Sequence, residues 1–249
     1  MTGWLLDFQY RILKSISPGE PAHADGSIYL GKSKLRTLLG ERAIAELAGK
    51  TVIDFGCGEG KESIELAQSG VARVVGLDIR EAALETARQR AAAAGVGERC
   101  AFSTRAAEPV DAIVSLDAFE HFADPASVLR TMHALLRAGG FALIEFGYPW
   151  LRPYGGHLFS VFPWAHVIFS ERALIRWRSD IRSDGATRFS EVEGGLNRMT
   201  VRRFERLVYE SPFHAEWLEL VPIRRLAAIH CRLTREFTTS VVRCRLRGR

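Results

Sequence analysis

The chain has 249 residues, 47% of them hydrophobic and 25% charged, with a net charge of +5. That composition fits one large globular unit or a core with an insertion, and no apolar run reaches the length of a membrane span. The four cysteines, at 57, 100, 231 and 244, form no Cys-x-x-Cys pair, which argues against a zinc ribbon or a disulfide framework.

At the N-terminus, Asp7 and the lack of a secretory cleavage pattern predict a cytoplasmic protein. Trp4, Leu5, Phe8, Ile12 and Leu13 recur at helical spacing and predict a first helix with an aromatic stripe packed on the core. Pro18-Gly19-Glu20-Pro21 breaks the chain, and a second helix is expected from Ser33 to Leu47, ended by Gly49. Residues 1–50 therefore read as a helical cap that packs on a sheet edge or covers a ligand, with Tyr29-Leu30-Gly31-Lys32 as one candidate contact.

From 51 to 147 strands and helices alternate. Strands are expected at 51–55, 73–77, 100–103, 112–116 and 141–146, and helices at 61–69, 80–94 and 124–137. This alternation predicts an α/β fold, a doubly wound, mostly parallel sheet with helices on both faces. Ligands of such sheets bind beyond the carboxyl ends of the strands. Asp54, Asp78 and Asp117 all fall at those ends.

The richest stretch is Asp54-Phe55-Gly56-Cys57-Gly58-Glu59-Gly60, between a strand and a helix start. Glycines let a ligand approach the backbone, and the helix start offers free N–H groups. Asp78 ends the next apolar run, near where an acid that binds ribose hydroxyls is expected. The spacing fits the nicotinamide pattern Gly-x-Gly-x-x-Gly less well. Asp-x-Gly-x-Gly-x-Gly followed by a strand-end Asp resembles class I S-adenosylmethionine methyltransferases. So do Val110 to Asp117 and the turn Leu136-Arg137-Ala138-Gly139-Gly140, and the resemblance covers about residues 50–147. It implies a Rossmann-like seven-stranded sheet with an antiparallel final strand, and S-adenosylmethionine as cofactor. It implies that Asp54, Gly56, Cys57, Gly58, Gly60, Asp78, Ile79, Thr104 and Asp117 line the cofactor, with Asp78 on the ribose. The link from Phe102 to Val110 lacks the acid that usually meets the adenine amino group, so Thr104 or a backbone group stands there instead.

Asp117-Ala118-Phe119-Glu120-His121 is the second informative stretch. A helical turn starting at 117 puts 117, 120 and 121 on one face. Asp117, Glu120 and His121, with His157 from beyond the fifth strand, are suitable ligands for Mg, Mn, Fe or Zn. The pattern is similar to that of two metal-dependent groups, the ubiquinone-pathway O-methyltransferases and the small-RNA 2′-O-methyltransferases. Two other roles stand beside it: His121 or His157 as a metal-free general base, and a purely structural pair. His166 reads as a satisfied core histidine.

Residues 148–199, dense in Trp150, Tyr154, Phe159, Phe162, Trp164, Phe169 and Trp177, read as a substrate-lid insertion or a satellite hydrophobic cluster. The run Leu158 to Trp164 is apolar enough for a greasy substrate or a membrane surface. Residues 200–249 complete the sheet, with a helix capped by Thr200 and strands at 216–221 and 237–246. From Arg224 to Arg249 eight arginines meet one acid, Glu236, which reads either as a nucleic-acid or anionic-surface patch or as a solvated strand face. The functional expectation is a methyltransferase acting on an oxygen of a small or lipid-like molecule, with two rivals. One is an RNA 2′-O-methyltransferase, for which nucleic acid is the less expected partner. The other is an S-adenosylmethionine-binding protein without methyl transfer.

Overall fold

The computed structural model describes residues 3–17, 33–106, 108–192 and 195–249. The candidate contact at 29–32 lies outside them. Two helices, α1 (Gly3–Ile16) and α2 (Lys34–Glu46), lead into an alternating core. It runs β1 (Thr51–Phe55), α3 (Lys61–Gln68), β2 (Arg73–Leu77), α4 (Glu81–Ala93), β3 (Cys100–Ser103), β4 (Val110–Leu116), α5 (Pro125–Ala134) and β5 (Leu136–Gly147). Next come α6 (Ala165–Ile168) and α7 (Glu171–Ser179) in the 148–199 segment, then α8 (Val201–Glu210), β6 (Phe213–Pro222), α9 (Arg235–Thr238) and β7 (Thr239–Gly248).

The strands form one seven-stranded sheet in the order β3-β2-β1-β4-β5-β7-β6. Strands β1 to β5 pair in parallel and β7 runs antiparallel to both β5 and β6. The predicted doubly wound class and its antiparallel final strand are what the chain forms. Both faces of the sheet are covered, which is why the central strands read as continuous apolar runs. Val52, Val114 and Leu143 pack with Leu35, Leu38, Leu66 and Leu84 on one face. Ile53, Ile113 and Ile144 pack with Leu129, Met132 and Phe204 on the other. Strand order reverses between β1 and β4, so the crevice for a ligand opens beyond their carboxyl ends.

Several boundaries move. The fifth helix stops at Ala134 and β5 begins at Leu136, because Leu136 already pairs with Val110 before the register jumps to Ala112 and Phe141. The turn at 137–140 is a bulge inside β5, tied down by Arg137 donating to Asp111 at 2.7 Å. The last strand starts at Thr239, since Phe237 belongs to α9, and β6 extends over 213–222. Thr200 and Asp124 cap their helices as expected, accepting from Arg203 N–H at 3.1 Å and Ser127 N–H at 3.0 Å.

The leading 1–50 segment divides between two bodies. Leu35, Leu38, Ile44 and Leu47 join the sheet core, whereas Leu13 is fully buried in a separate cluster with Phe159, Leu174 and Trp177 of the 148–199 segment. Trp177 Nε1–H donates to Ser17 O at 2.7 Å and Tyr10 Oη–H to Asp180 at 2.6 Å. The packed face of α1 is Leu6, Tyr10, Ile12 and Leu13. Of the expected stripe Ile12 and Leu13 pack, whereas the aromatic members Trp4 and Phe8 stand exposed. The apolar run around Phe159 to Trp164 also turns inward, with Phe159 buried and Phe162 half-buried against the same cluster. No helix among the described residues is long and apolar enough to cross a membrane.

Candidate active site

The glycine turn is built from β1 outward. Gly56 and Cys57 N–H both donate to Leu77 O, at 2.8 and 2.9 Å, which ties the turn to the end of β2. Gly60 has φ +77°, caps α3, and has no room for a Cβ, which would meet Ala87 Cβ at 2.7 Å. Gly58 has only the tip of Arg80 near it, at 3.5 Å, so it is the open glycine of the three. Its N–H donates to Asp78 Oδ2 at 2.9 Å, and Asp78 Oδ1 accepts from Arg80 N–H at 2.9 Å. Arg80 Nε–H also donates to Oδ1, at 3.2 Å, so of the roughly four lone-pair directions of a carboxylate about one, on Oδ2, stays open to a further donor. Ile79 beyond it is 92% exposed, and Thr104 is exposed just past the end of β3. Cys57 is buried, and burial pushes its thiol well above the ordinary value, which suits a filler and not a nucleophile.

Asp54 points the other way, into the α3 face. Ser63 Oγ–H donates to its Oδ2 at 2.6 Å, while burial pushes its carboxyl up to about 7. It supports the turn from below.

Across the crevice, β4 ends in a turn whose first residue, Asp117, has φ +47°. The backbone here is a tight turn closed by His121 N–H to Ala118 O at 2.9 Å, not a helix starting at 117. Phe119 drops into the core against Phe122, Phe146 and Phe204. That anchors the turn and leaves Glu120 and His121 on its other side. Glu120, His121 and His157 each offer one ligand atom, all within 4.8 Å of one another. Asp117 is not in this group. Lys34 Nζ at the start of α2 draws it off with a 3.0 Å ion pair, and Gly147 N–H donates to it at 3.2 Å.

The imidazoles differ. His121 Nδ1 lies 2.7 Å from Gly195 O, so Nδ1 carries the proton and Nε2 has its lone pair free towards Glu120, 4.0 Å away. His157 sits between the rings of His121 and Tyr148, each 5.4 Å centroid to centroid. Its Nε2 is buried without a hydrogen-bond partner among the described residues, as is Glu120 Oε2. Burial, with His121, Arg152 and His166 adding to it, lowers the His157 pKa to about 3, so the ring is neutral. His166 is the satisfied core residue expected: Nε2–H donates to Trp150 O at 2.5 Å and Nδ1 accepts from Ser160 Oγ at 2.8 Å.

Four residues of this region escaped the sequence reading. Glu145 in β5 is fully buried, with both carboxyl oxygens unpartnered among the described residues. Burial, then Asp117 and Glu120, push it up to about 9. Burial works against the Lys34 ammonium, but Asp117, Glu62 and Glu145 outweigh it and raise its pKa. Glu120 is held well above the ordinary range by burial and by Asp117. Asn197 Nδ2–H donates to Phe119 O and Phe122 O at 2.7 and 2.8 Å, and Gly195 O holds His121, so residues 195–197 fasten the turn. Lys34, Glu145, Asn197 and Gly195 carry no local pattern that points to a site.

The chain is similar in sequence and fold to known proteins. A family profile described as a methyltransferase domain matches residues 46–153. The ubiquinone biosynthesis O-methyltransferase of Pseudomonas paraeruginosa is 43% identical over 102 residues, which are 39% of this chain and 44% of that protein. The enzyme of the same name from Neisseria meningitidis is 37% identical over 108 residues, 41% of this chain and 45% of that protein. The match thus spans less than half the length of these curated relatives. Among solved structures, a geranyl diphosphate methyltransferase in complex with SAM aligns over 93% of this chain and 96% of its own, with TM-score 0.59 and 16% identity. The 4+2 cyclase SpnF aligns over 99% and 94%, with TM-score 0.58 and 16% identity. At these identities the two structures speak for the fold.

Proposed function

We infer, from a chain whose residues 46–153 belong to the methyltransferase-domain family, that the protein transfers a methyl group from S-adenosylmethionine to an oxygen of a small or lipid-like acceptor. The observation that carries this is the meeting of two turns at the strand-order reversal. A Cβ on Gly56 would touch Ala118 Cβ at 2.9 Å, so the glycine turn with Asp78 and the turn bearing Glu120 and His121 face one crevice. The relatives matching the core are named O-methyltransferases of ubiquinone biosynthesis, which supports an oxygen and a lipid-like acceptor.

In this reading Gly58 and Asp78 hold the nucleoside, with Asp78 on the ribose, while Asp54 and Gly60 set the turn. Methyl transfer from a sulfonium is an in-line displacement, so holding donor and acceptor aligned and dry does most of the work. The buried aromatic lid supports the exclusion of water. An acceptor hydroxyl must also lose its proton. Glu120, His121 and His157 fit a divalent cation of Mg, Mn, Fe or Zn: the donor set is one carboxylate and two imidazoles, and two of its atoms are buried orphans. Such an ion, when bound, supplies a Lewis acid that eases ionisation of the hydroxyl. With no ion bound, His121 is instead the histidine placed to take the proton, because Gly195 O holds its Nδ1–H and leaves the Nε2 lone pair free. A His157 titrating at about 3 is a poor base at neutral pH.

Calorimetry with S-adenosylmethionine tests the core of this reading, and a protein that binds none of it would end the proposal. For the metal, exhaustive chelation or His121→Ala is expected to abolish S-adenosylhomocysteine production across a panel of phenol and quinol acceptors while cofactor affinity persists. Full turnover after chelation removes the metal from the scheme. Cofactor affinity with no product on any acceptor would favour a non-transferring relative, a reading given substance by a cyclase on the same fold.

A further inference from the structure

The eight arginines between 224 and 249 do not share one fate. Arg235 pairs with Glu205 at 2.6 and 2.7 Å, Arg243 with Glu219, and Arg245 and Arg247 with Glu216. Arg249 donates to Phe213 O and Tyr209 O. These five belong to the strand face and its surroundings. Arg224, Arg225 and Arg232 remain, all exposed, and no acid among the described residues pairs with them. They share the 223–238 connection between β6 and β7 with three exposed apolar side chains, Ile229 at 57%, Leu233 at 88% and Phe237 at 45%. Its one acid, Glu236, is spent on the N-terminus of α8, accepting from Val201 N–H at 3.2 Å and Arg202 N–H at 2.7 Å. The base of the connection is thus fastened to α8 by Glu236 and Arg235, and its cationic, apolar crest projects outward.

Its place in the sheet gives this crest meaning. Pro222 pairs with Thr239, and Gly147 with Val241, so the connection leaves the sheet at the same edge as the end of β5. Ser240 O accepts from Tyr148 N–H at 3.2 Å and from Arg152 at 3.4 Å, beside the His157 pocket. We propose that residues 223–238 seat the protein on an anionic lipid surface, through Arg224, Arg225 and Arg232 at the headgroups and Ile229 and Leu233 below them, with the crevice edge turned to the bilayer. Charge complementarity commits the surface to an anionic partner. Protruding aliphatic side chains favour lipid over RNA, because a strand of bases is held by successive aromatic rings along a basic groove, whereas Phe237 stands here as a single ring beside the aliphatic Ile229 and Leu233. The proposal rests on the lipid-like acceptor for its purpose, but its physics stands apart.

Sedimentation of the full chain with vesicles, without cofactor or acceptor, tests it. Binding is expected to phosphatidylcholine mixed with phosphatidylglycerol and not to phosphatidylcholine alone, and to weaken with salt. Each arginine near an anionic surface is worth roughly fivefold in partitioning, so Arg224→Gln, Arg225→Gln and Arg232→Gln together should cost on the order of 100-fold. Leu233→Ser should weaken binding with all three arginines in place. Unchanged melting temperatures and cofactor affinity show that these surface variants are folded, and cofactor calorimetry reads the proposed function separately. Equal binding to neutral vesicles, no loss in the triple variant, or retention on an RNA homopolymer without vesicle binding would each overturn the proposal.

Discussion

Asp78 shows how one side chain carries two duties. Its carboxylate organises Gly58 N–H and Arg80 N–H before any ligand arrives, and it faces the crevice where the ribose is proposed to lie. Asp78→Ala should therefore weaken S-adenosylmethionine binding by roughly 1.5–3 kcal/mol, the scale of a hydrogen bond to a charged group. Calorimetry reads this directly, and an unaltered affinity in a folded variant would remove Asp78 from the cofactor site. Asp78 was legible because a strand-end acid after a glycine turn is a local pattern. Glu145 and Lys34 were not. A glutamate inside an apolar strand and a lysine at a helix start look ordinary, and they meet Asp117 only through pairing of β4 with β5 and the packing of α2. For the same reason nothing local separates Asp117 from Glu120 and His121, although Lys34, 83 positions away in sequence, pairs with it alone at 3.0 Å.

At the scale of elements, the alternating core was legible because each strand is covered on both faces and each helix follows its strand directly. Errors gathered where two patterns overlap. On α1 the stripe Trp4–Phe8–Ile12 and the stripe Leu6–Tyr10–Leu13 both fit a helical spacing, and only the partner decides which side chains pack. That partner is the 148–199 segment. Leu13→Ala should cost about 2–5 kcal/mol of packing, the range for emptying a buried leucine site. The loss should fall on residues 148–199: limited proteolysis there should accelerate while the amides of β1 and β4 keep their hydrogen-exchange protection. Equal loss of protection in the sheet would mean that this segment and the core are one cooperative unit.

For the molecule as a whole, buried ionisable groups set opposing dependences on pH. His157 titrates at about 3 when folded, against 6.5 ordinarily, so its contribution is full above pH 6.5 and is lost as pH falls towards 3. Glu145 behaves in the opposite sense. Its folded pKa of about 9 lies above the ordinary 4.5, so the stability tied to its protonated form is full below 4.5 and is lost as pH rises through 9. Asp54, at about 7 against 3.8, follows the same sign over a lower window. The ligand-free protein should therefore melt at lower temperature as pH rises from 7 to 9, and Glu145→Gln should flatten that slope and melt higher at pH 9 than the parent. Differential scanning calorimetry at several pH values checks both, and a parental slope retained in the variant would exclude Glu145 as its source.

The carbonyl of Gly195 has a consequence of its own. It comes from the insertion, yet it determines which nitrogen of His121 is bare, while Asn197 clasps the peptide on either side of that imidazole. Displacing that segment would unlatch the ring and free it to take the other tautomer. In the proposed reaction, the bare nitrogen of the imidazole therefore depends on a carbonyl 74 positions further along the chain.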